Sequence, residues 1–262
     1  MAACGTKVET PTPVTVRIAG STSMLPLVQE LAEAYAAQHP NVYFDVQGGG
    51  SQLGVEWLSN SSGLVSERPD IAASSWWPLG NAIDASEGLT ATLVARDGIA
   101  LIVHPKNTTP GLTLLQLQDI YAGHILGWQE VGGPKGDIIV VSRENGSGTR
   151  SAFESMVMGD IPVTLAAIVM PSSAAVVEYV GEHPTAIGYV SLACITDTVR
   201  ALPIEGQMLT LEAIRSDAYH LIRPLYLISN ATSSEVARTF LKFAVSPAGQ
   251  AIVARRYAPR RR

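Results

Sequence analysis

The sequence predicts an α/β protein with parallel sheets, on three observations. Short β-branched runs alternate with segments whose apolar residues recur at helical spacing. Three of the strand-like runs end in glycine and hydroxyl residues where a helix begins. At 262 residues, 47% hydrophobic and 16% charged, the chain has ample material for one large or two medium cores. In open α/β sheets, ligands bind at strand ends lying on one side.

The elements follow in order. Val14-Thr-Val-Arg-Ile18 reads as a strand running into Gly20-Ser21-Thr22-Ser23. The helix after it spans Leu25 to Gln38, with Leu27, Val28, Leu31, Ala34 and Tyr35 as its apolar stripe. Val42-Tyr-Phe-Asp-Val46 then enters Gly48-Gly49-Gly50-Ser51, followed by helix-compatible Gln52 to Leu58. Asp70-Ile-Ala-Ala73 is a strand closed by the turn Ser74-Ser75-Trp76-Trp77-Pro78. Thr90–Ala95 and Gly98–Val103 read as two strands broken by Arg96-Asp97, and Leu112–Tyr121 as a helix capped by Thr113. Ile138–Val141 is strand-like, and Ser151–Met158 and Ala174–Gly181 are helical. Strands follow at Ala186–Val190, Thr198–Pro203 and Leu225–Ser229. The chain finishes with an amphipathic helix, Ser234–Val245, whose Val236, Phe240, Leu241 and Ala244 point inward, and a last helix opened by Pro247.

The segment between Val141 and Ser151 carries most of the chemistry. Ser142-Arg143-Glu144-Asn145-Gly146-Ser147-Gly148-Thr149-Arg150 places two glycines, hydroxyls and two guanidinium groups on a strand-to-helix turn. Free N–H groups there carry the positive end of a helix dipole, so the turn is an anion cradle. A single glycine–serine corner is an ordinary helix cap; three in one chain point to a shared ligand. Nothing in the cradle supplies a base, a metal set or a partnered nucleophile. Arg150 has an alternative partner in Glu154, four residues on.

Several function classes fall away. The formal net charge is −5, and it drops to −10 when the five arginines of the tail (Arg255, Arg256, Arg260, Arg261, Arg262) are set aside. Such a body does not attract nucleic acid through its overall field, and the tail reads as a solvated, frayed end. No apolar run is long enough to span a bilayer. The histidines, His39, His104, His124, His183 and His220, have no metal-ligand spacing. Ser147 does not sit in Gly-x-Ser-x-Gly, and the Gly48–Gly54 loop lacks the Lys-Ser/Thr of a nucleotide phosphate loop. Tyr121, Trp128, Tyr189 and Tyr226 read as packing residues. Cys4 and Cys194 lie in contrasting contexts and are not expected to pair. Met1-Ala-Ala-Cys4-Gly5 resembles the processing site of a bacterial lipoprotein, with Cys4 lipidated and residues 1–13 a flexible tether.

Taken in sequence order, the motifs resemble the substrate-binding proteins of bacterial ABC phosphate importers. They are Ala19-Gly-Ser-Thr-Ser-Met-Leu-Pro-Leu27, Gly48-Gly-Gly-Ser-Gln-Leu-Gly54, Asp70-Ile-Ala-Ala-Ser-Ser75, the Ser142–Arg150 cradle, Ala186-Ile-Gly-Tyr-Val-Ser191, Arg223-Pro-Leu-Tyr226 and Ser246-Pro-Ala-Gly-Gln250. The resemblance implies a two-lobed, type II periplasmic-binding-protein-like (Venus-flytrap) α/β fold, with two hinge strands and phosphate buried between the lobes. It places lobe one at residues 14–97 plus 219–262 and lobe two at 98–218, with hinges near Asp97–Gly98 and Tyr219–Arg223. It implies phosphate binding by Thr22, Ser23, Ser51, Ser75, Arg143, Ser147, Gly148 and Thr149. It further implies a receptor outside the cytoplasm that delivers its ligand to an ABC permease; no cofactor and no catalysis are expected from the cradle's residues, a lipid anchor from the Cys4 signature, and a monomer because no long exposed apolar face or heptad pattern suggests assembly. Asp70 is too early in its strand to reach the ligand. Some members of the family have an aspartate where this chain has Ser75. A carboxylate there accepts a hydrogen bond from hydrogen phosphate and repels sulfate, whereas a hydroxyl can donate or accept. Sulfate, arsenate and molybdate-type anions therefore stay open as ligands, as do a sensing module and, from another class, a phosphate-ester hydrolase using Ser147 or Ser51.

Overall fold

The computed structural model describes residues 12–59, 68–76 and 88–261; Cys4 and Trp77 lie outside them. Ten strands are present among the described residues: β1 Val14–Gly20, β2 Val42–Gly48, β3 Ile71–Ser74, β4 Leu89–Val103, β5 Ile139–Arg143, β6 Ile168–Met170, β7 Ala186–Ser191, β8 Arg200–Ala201, β9 Ile222–Asn230 and β10 Ala258–Pro259. The helices are α1 Leu25–Ala36, α2 Ser51–Ser59, α3 Leu114–Ala122, α4 Gly148–Phe153, α5 Ser173–Glu182, α6 Leu211–Arg215, α7 Glu235–Ala244 and α8 Pro247–Val253.

The strands form one curled sheet in the order β2-β1-β3-β9-β4-β7-β5-β6, with β8 and β10 paired to β4 off this path. Its two flanks are parallel, as the alternation of strands and helices requires: β2, β1 and β3 on one side, β7, β5 and β6 on the other. The middle departs from that expectation, since β9 and β4 run antiparallel to each other and to their flank neighbours.

Two hydrophobic cores flank this centre. One gathers Val16, Leu31, Phe240 and Tyr257; the other gathers Ile102, Trp128, Phe153 and Tyr189. Strand β4 passes from the first core (Val94, Ala95) to the second (Ile99 onward), and β9 carries Leu225 and Leu227 in the first while Leu221, just before it, lies in the second. The α/β architecture is thus two-lobed, with β4 and β9 crossing between the lobes.

Four local readings are corrected. Arg96-Asp97 does not break the strand: β4 is continuous over 15 residues, with only a bulge between Leu93 and Ala95. Charge inside an apolar run is tolerated there because Asp97 lies directly opposite Arg223 in the ladder. The helix expected at Ser151–Met158 begins earlier, at Gly148, and loosens into a π-helix over Glu154–Met158. The strand expected over Thr198–Pro203 shrinks to Arg200–Ala201. The tail is not frayed either, because Ala258 and Pro259 pair with Arg96 and Ala95 and Arg261 meets Asp217. Thr113 caps α3 with a full capping box, as its position before Leu114 and Gln116 predicts. Along α7, Phe240, Leu241 and Ala244 are buried and Val236 is half-buried.

Candidate oxyanion site

Each glycine–serine corner ends a strand where the two cores meet. Gly20 ends β1 in the left-handed range at φ 141°, and a Cβ there would lie 2.2 Å from the Ala73 carbonyl oxygen. Only glycine allows that approach of β1 to β3, which brings Ser21 and Ser23 beside Ser75. The Ser21 hydroxyl donates to Ser75 Oγ at 2.8 Å and lies 2.9 Å from Ser23 Oγ. Ser75 N–H donates to Ser51 Oγ, the first residue of α2, at 3.2 Å. All four serines are buried.

The opposite wall is the cradle. Ser147 caps α4 by accepting from Arg150 N–H at 3.3 Å. Gly148, next in line, lies against the first wall so closely that a Cβ would meet Ser51 Oγ at 2.3 Å and Ser75 Oγ at 2.6 Å. Gln52 N–H donates across the gap to the Gly146 carbonyl at 3.1 Å. The two walls therefore touch through hydroxyls and backbone, with no side chain between them at Gly148.

Two guanidinium groups sit in this contact, both essentially without solvent exposure. Arg143, at the end of β5, donates from Nη2 to Thr22 Oγ1 at 3.2 Å and from Nη1 to Ser173 Oγ at 3.2 Å. Its Nε and Nη2 also grip the Glu144 carboxylate, each at 2.8 Å. Arg223, on β9, donates from Nη1 to Thr149 Oγ1 at 2.7 Å and from Nη2 to Ser23 Oγ at 3.0 Å. Its counterion is Asp97, which accepts from Nη2 at 2.9 Å and from Ser191 Oγ at 3.0 Å. Burial raises the Asp97 carboxyl above its ordinary value, against the pull of Arg223 and of the Ser191 hydroxyl. Cys194 is partly buried beside this pair, and desolvation pushes its thiol up to about 11.

All eight expected site residues are gathered here, but not in equal roles. Thr22 meets Arg143, Ser23 and Thr149 share Arg223, and Ser51, Ser75 and Gly148 form the narrowest contact. The Ser147 hydroxyl is turned to its own helix. Arg150 pairs with Glu154 at 2.7 Å and donates to the Arg143 carbonyl, so it braces the cradle. Asp70 accepts from Arg17 N–H, away from the cluster. Sequence reasoning missed Ser21, Asp97, Ser173, Ser191 and Arg223. The available signal for two of them was the charged pair of positions within otherwise apolar strands, Asp97 and Arg223.

Walls of this kind, hydroxyls and N–H groups around buried cations at the crossing of two lobes, suit a small oxyanion. A family model described as a PBP superfamily domain matches residues 6–248. The chain belongs to the PBP superfamily. Among solved PBP relatives, a phosphate ABC transporter substrate-binding protein from Clostridium perfringens, determined with bound phosphate, superposes with a TM-score of 0.88 at 33% identity, covering 95% of this chain and 100% of that one. An ABC-type phosphate transport receptor from Vibrio cholerae gives a TM-score of 0.73 at 31% identity over 94% of this chain and 100% of that one. The phosphate-binding protein PstS of Bacillus subtilis is 29% identical over 227 residues, 86% of this chain and 73% of its own length. Among the described residues of this PBP, no helix is long and apolar enough to cross a membrane.

Proposed function

We propose that the protein is a non-catalytic receptor that captures inorganic phosphate between its lobes and delivers it to the permease of an ABC importer. The observation that carries this reading is the convergence of the Ser21–Ser23, Ser51, Ser75 and Ser147–Thr149 corners around two buried guanidinium groups. The names of the relatives, phosphate-binding proteins and phosphate transport receptors, supply the ligand class.

In this reading Thr22, Ser23, Ser51 and Ser75 bind from lobe one, residues 14–97 plus 219–262. Arg143, Ser147, Gly148 and Thr149 close from lobe two, residues 98–218. Bending at Asp97–Gly98 and Tyr219–Arg223 opens the cleft. Hydrogen bonds involving a charged partner contribute roughly 1.5–3 kcal/mol each, so several of them reach the about 8 kcal/mol of a micromolar receptor after desolvation and closure costs. The protein works as a monomer outside the cytoplasm, tethered through a lipid on Cys4. The reading is tested by calorimetric titration of the purified protein with phosphate: saturable one-to-one binding is expected, and no heat at millimolar phosphate would remove the receptor assignment. Lipidation is tested separately, by detergent partitioning of the native protein against Cys4→Ala.

A further inference from the structure

We propose that the folded tail, together with Arg96 and Arg215, is a docking surface for the anionic phospholipid headgroups of a membrane. The oxyanion site takes no part in it, and the receptor reading enters only by placing a membrane beside the protein.

The chain ends in two dibasic pairs, Arg255-Arg256 and Arg260-Arg261, separated by Tyr257-Ala258-Pro259. Tyr257 and Ala258 are buried, at 1% and 0% exposure, while the four arginines on either side are exposed. The buried pair and the β10 ladder to β4 therefore pin the tail and leave its guanidinium groups in water. Arg260 N–H adds a bond to Gln250 Oε1 at 3.2 Å. The fold brings two more arginines from distant positions. Arg96, opposite Ala258 in the ladder, donates to the Arg215 carbonyl at 3.3 Å, and Arg215 donates to the Ala254 carbonyl at 3.1 Å. The Arg96 side chain is only 16% exposed, so it adds field more than contact. A frayed end would scatter its charges; here six guanidinium groups are gathered around β10 and its flanks.

The acidic neighbours do not cancel them. Asp217 is shared by Arg96 and Arg261, and Glu30 lies 3.8 Å from Arg256. With Glu212, on the same short helix as Arg215, also counted, six cations against three carboxylates leave the patch at +3 and the rest of the chain at −8. Neither Arg255 nor Arg260 forms an ion pair among the described residues. The acidic remainder does not prevent docking, because screening confines exposed charges to about 8 Å at physiological salt. A surface in contact with the patch meets the arginines and little else.

The chemistry of the patch selects its partner. Guanidinium groups are weakly hydrated and pair with phosphate oxygens through two parallel bonds. Each arginine near an anionic bilayer strengthens binding by about fivefold. A protein partner would call for an aromatic or aliphatic anchor, and none of the exposed large apolar side chains lies in residues 211–217 or 254–261. A headgroup surface needs no anchor. In the receptor reading the protein works outside the cytoplasm beside a membrane, where headgroup phosphates are the polyanion at hand.

The test is co-sedimentation of the full chain, carrying Cys4→Ala so that no lipid is attached, with phosphatidylcholine vesicles that either lack phosphatidylglycerol or contain about a third of it. Retention is expected on the anionic vesicles alone and should fall as salt is raised. Arg255→Ala with Arg260→Ala removes only arginines without an ion pair. The melting temperature and the phosphate titration should therefore hold while vesicle affinity drops by about 10-fold or more. Arg255→Lys with Arg260→Lys keeps the charge and should retain most of the affinity. Lys135→Ala with Lys242→Ala makes the same change in net charge at exposed positions outside the patch, and should leave vesicle affinity within about twofold. Three results overturn the proposal. They are equal retention on neutral vesicles or none on anionic ones, an equal loss in the two double alanine variants, and tighter binding of duplex DNA than of vesicles through the same arginines. Phosphate titration decides the receptor reading independently, since Arg255 and Arg260 stand outside the oxyanion cluster.

Discussion

Arg143 and Thr22 stand 121 positions apart in the chain, yet Nη2 of the one donates to Oγ1 of the other at 3.2 Å. The bond joins the end of β5 to the corner after β1, so the guanidinium that sits deepest in one wall is oriented by the other. The contact of the walls and the aiming of this cation go together.

Arg143→Ala is accordingly expected to weaken phosphate binding by about 100-fold or more, because it removes a buried cation and leaves the Glu144 carboxylate facing the anion. Arg143→Lys keeps the charge but loses the planar fork, and should recover only part of the loss. Calorimetric Kd values for the two variants check this, with near-normal affinity in Arg143→Ala placing the ligand elsewhere.

Gly148→Ala tests the narrowest contact. The added Cβ would collide with Ser51 Oγ and Ser75 Oγ, and relief requires either turning those hydroxyls away or parting the walls. The expected result is a loss of at least about 10-fold in affinity, the worth of one or two hydrogen bonds, with an unchanged melting temperature in the absence of ligand. X-ray scattering with saturating phosphate should show a less closed particle than the parent.

The Asp97–Arg223 pair has exposures of 1% and 0%. Removing one partner strands a buried charge, so Asp97→Asn should cost about 3–5 kcal/mol in urea denaturation. Replacing both together, as Asp97→Leu with Arg223→Met, should recover most of that stability while binding stays impaired. If the double variant is no more stable than Asp97→Asn, the pair is not an isolated energetic unit.

Cys194 gives a prediction in pH. Burial pushes its thiol from the ordinary 9.0 up to about 11, so it stays neutral in the folded protein below that. Between those values the unfolded chain has lost a proton that the folded chain keeps, so stability is full below the lower value and falls as pH rises toward the upper one. Cys194→Ala should make the alkaline part of the stability curve shallower. Thiol-reagent titration of the native protein should likewise show little reaction near neutrality.

What could be read in the sequence was what has a local cause. The corners at Gly20–Ser23, Gly48–Ser51 and Ser142–Arg150 announce themselves because glycine conformation and serine capping act within a few residues. Thr113 and Ser234 mark their helices for the same reason. Arg223 and Asp97 were not legible as a pair, since they are 126 residues apart and meet only through the register of β4 and β9. Read locally, Asp97 looks like a strand break; read across the ladder, it is a counterion. Ser173 and Ser191 were missed because each stands at an ordinary strand or helix end, and only the folded sheet brings them to the guanidinium groups. Strands β6 and β10 and helix α6 are too short to show any periodicity.

The core that holds Val16, Ile18 and Leu31 also needs Leu225, Phe240 and Tyr257. A chain emerging amino end first from a ribosome cannot complete that half until Tyr257 is free. The other core draws almost wholly on residues 99–221, so it can consolidate while the opening segment waits. Synthesis of this molecule yields a half-built vessel whose first wall is the last to set.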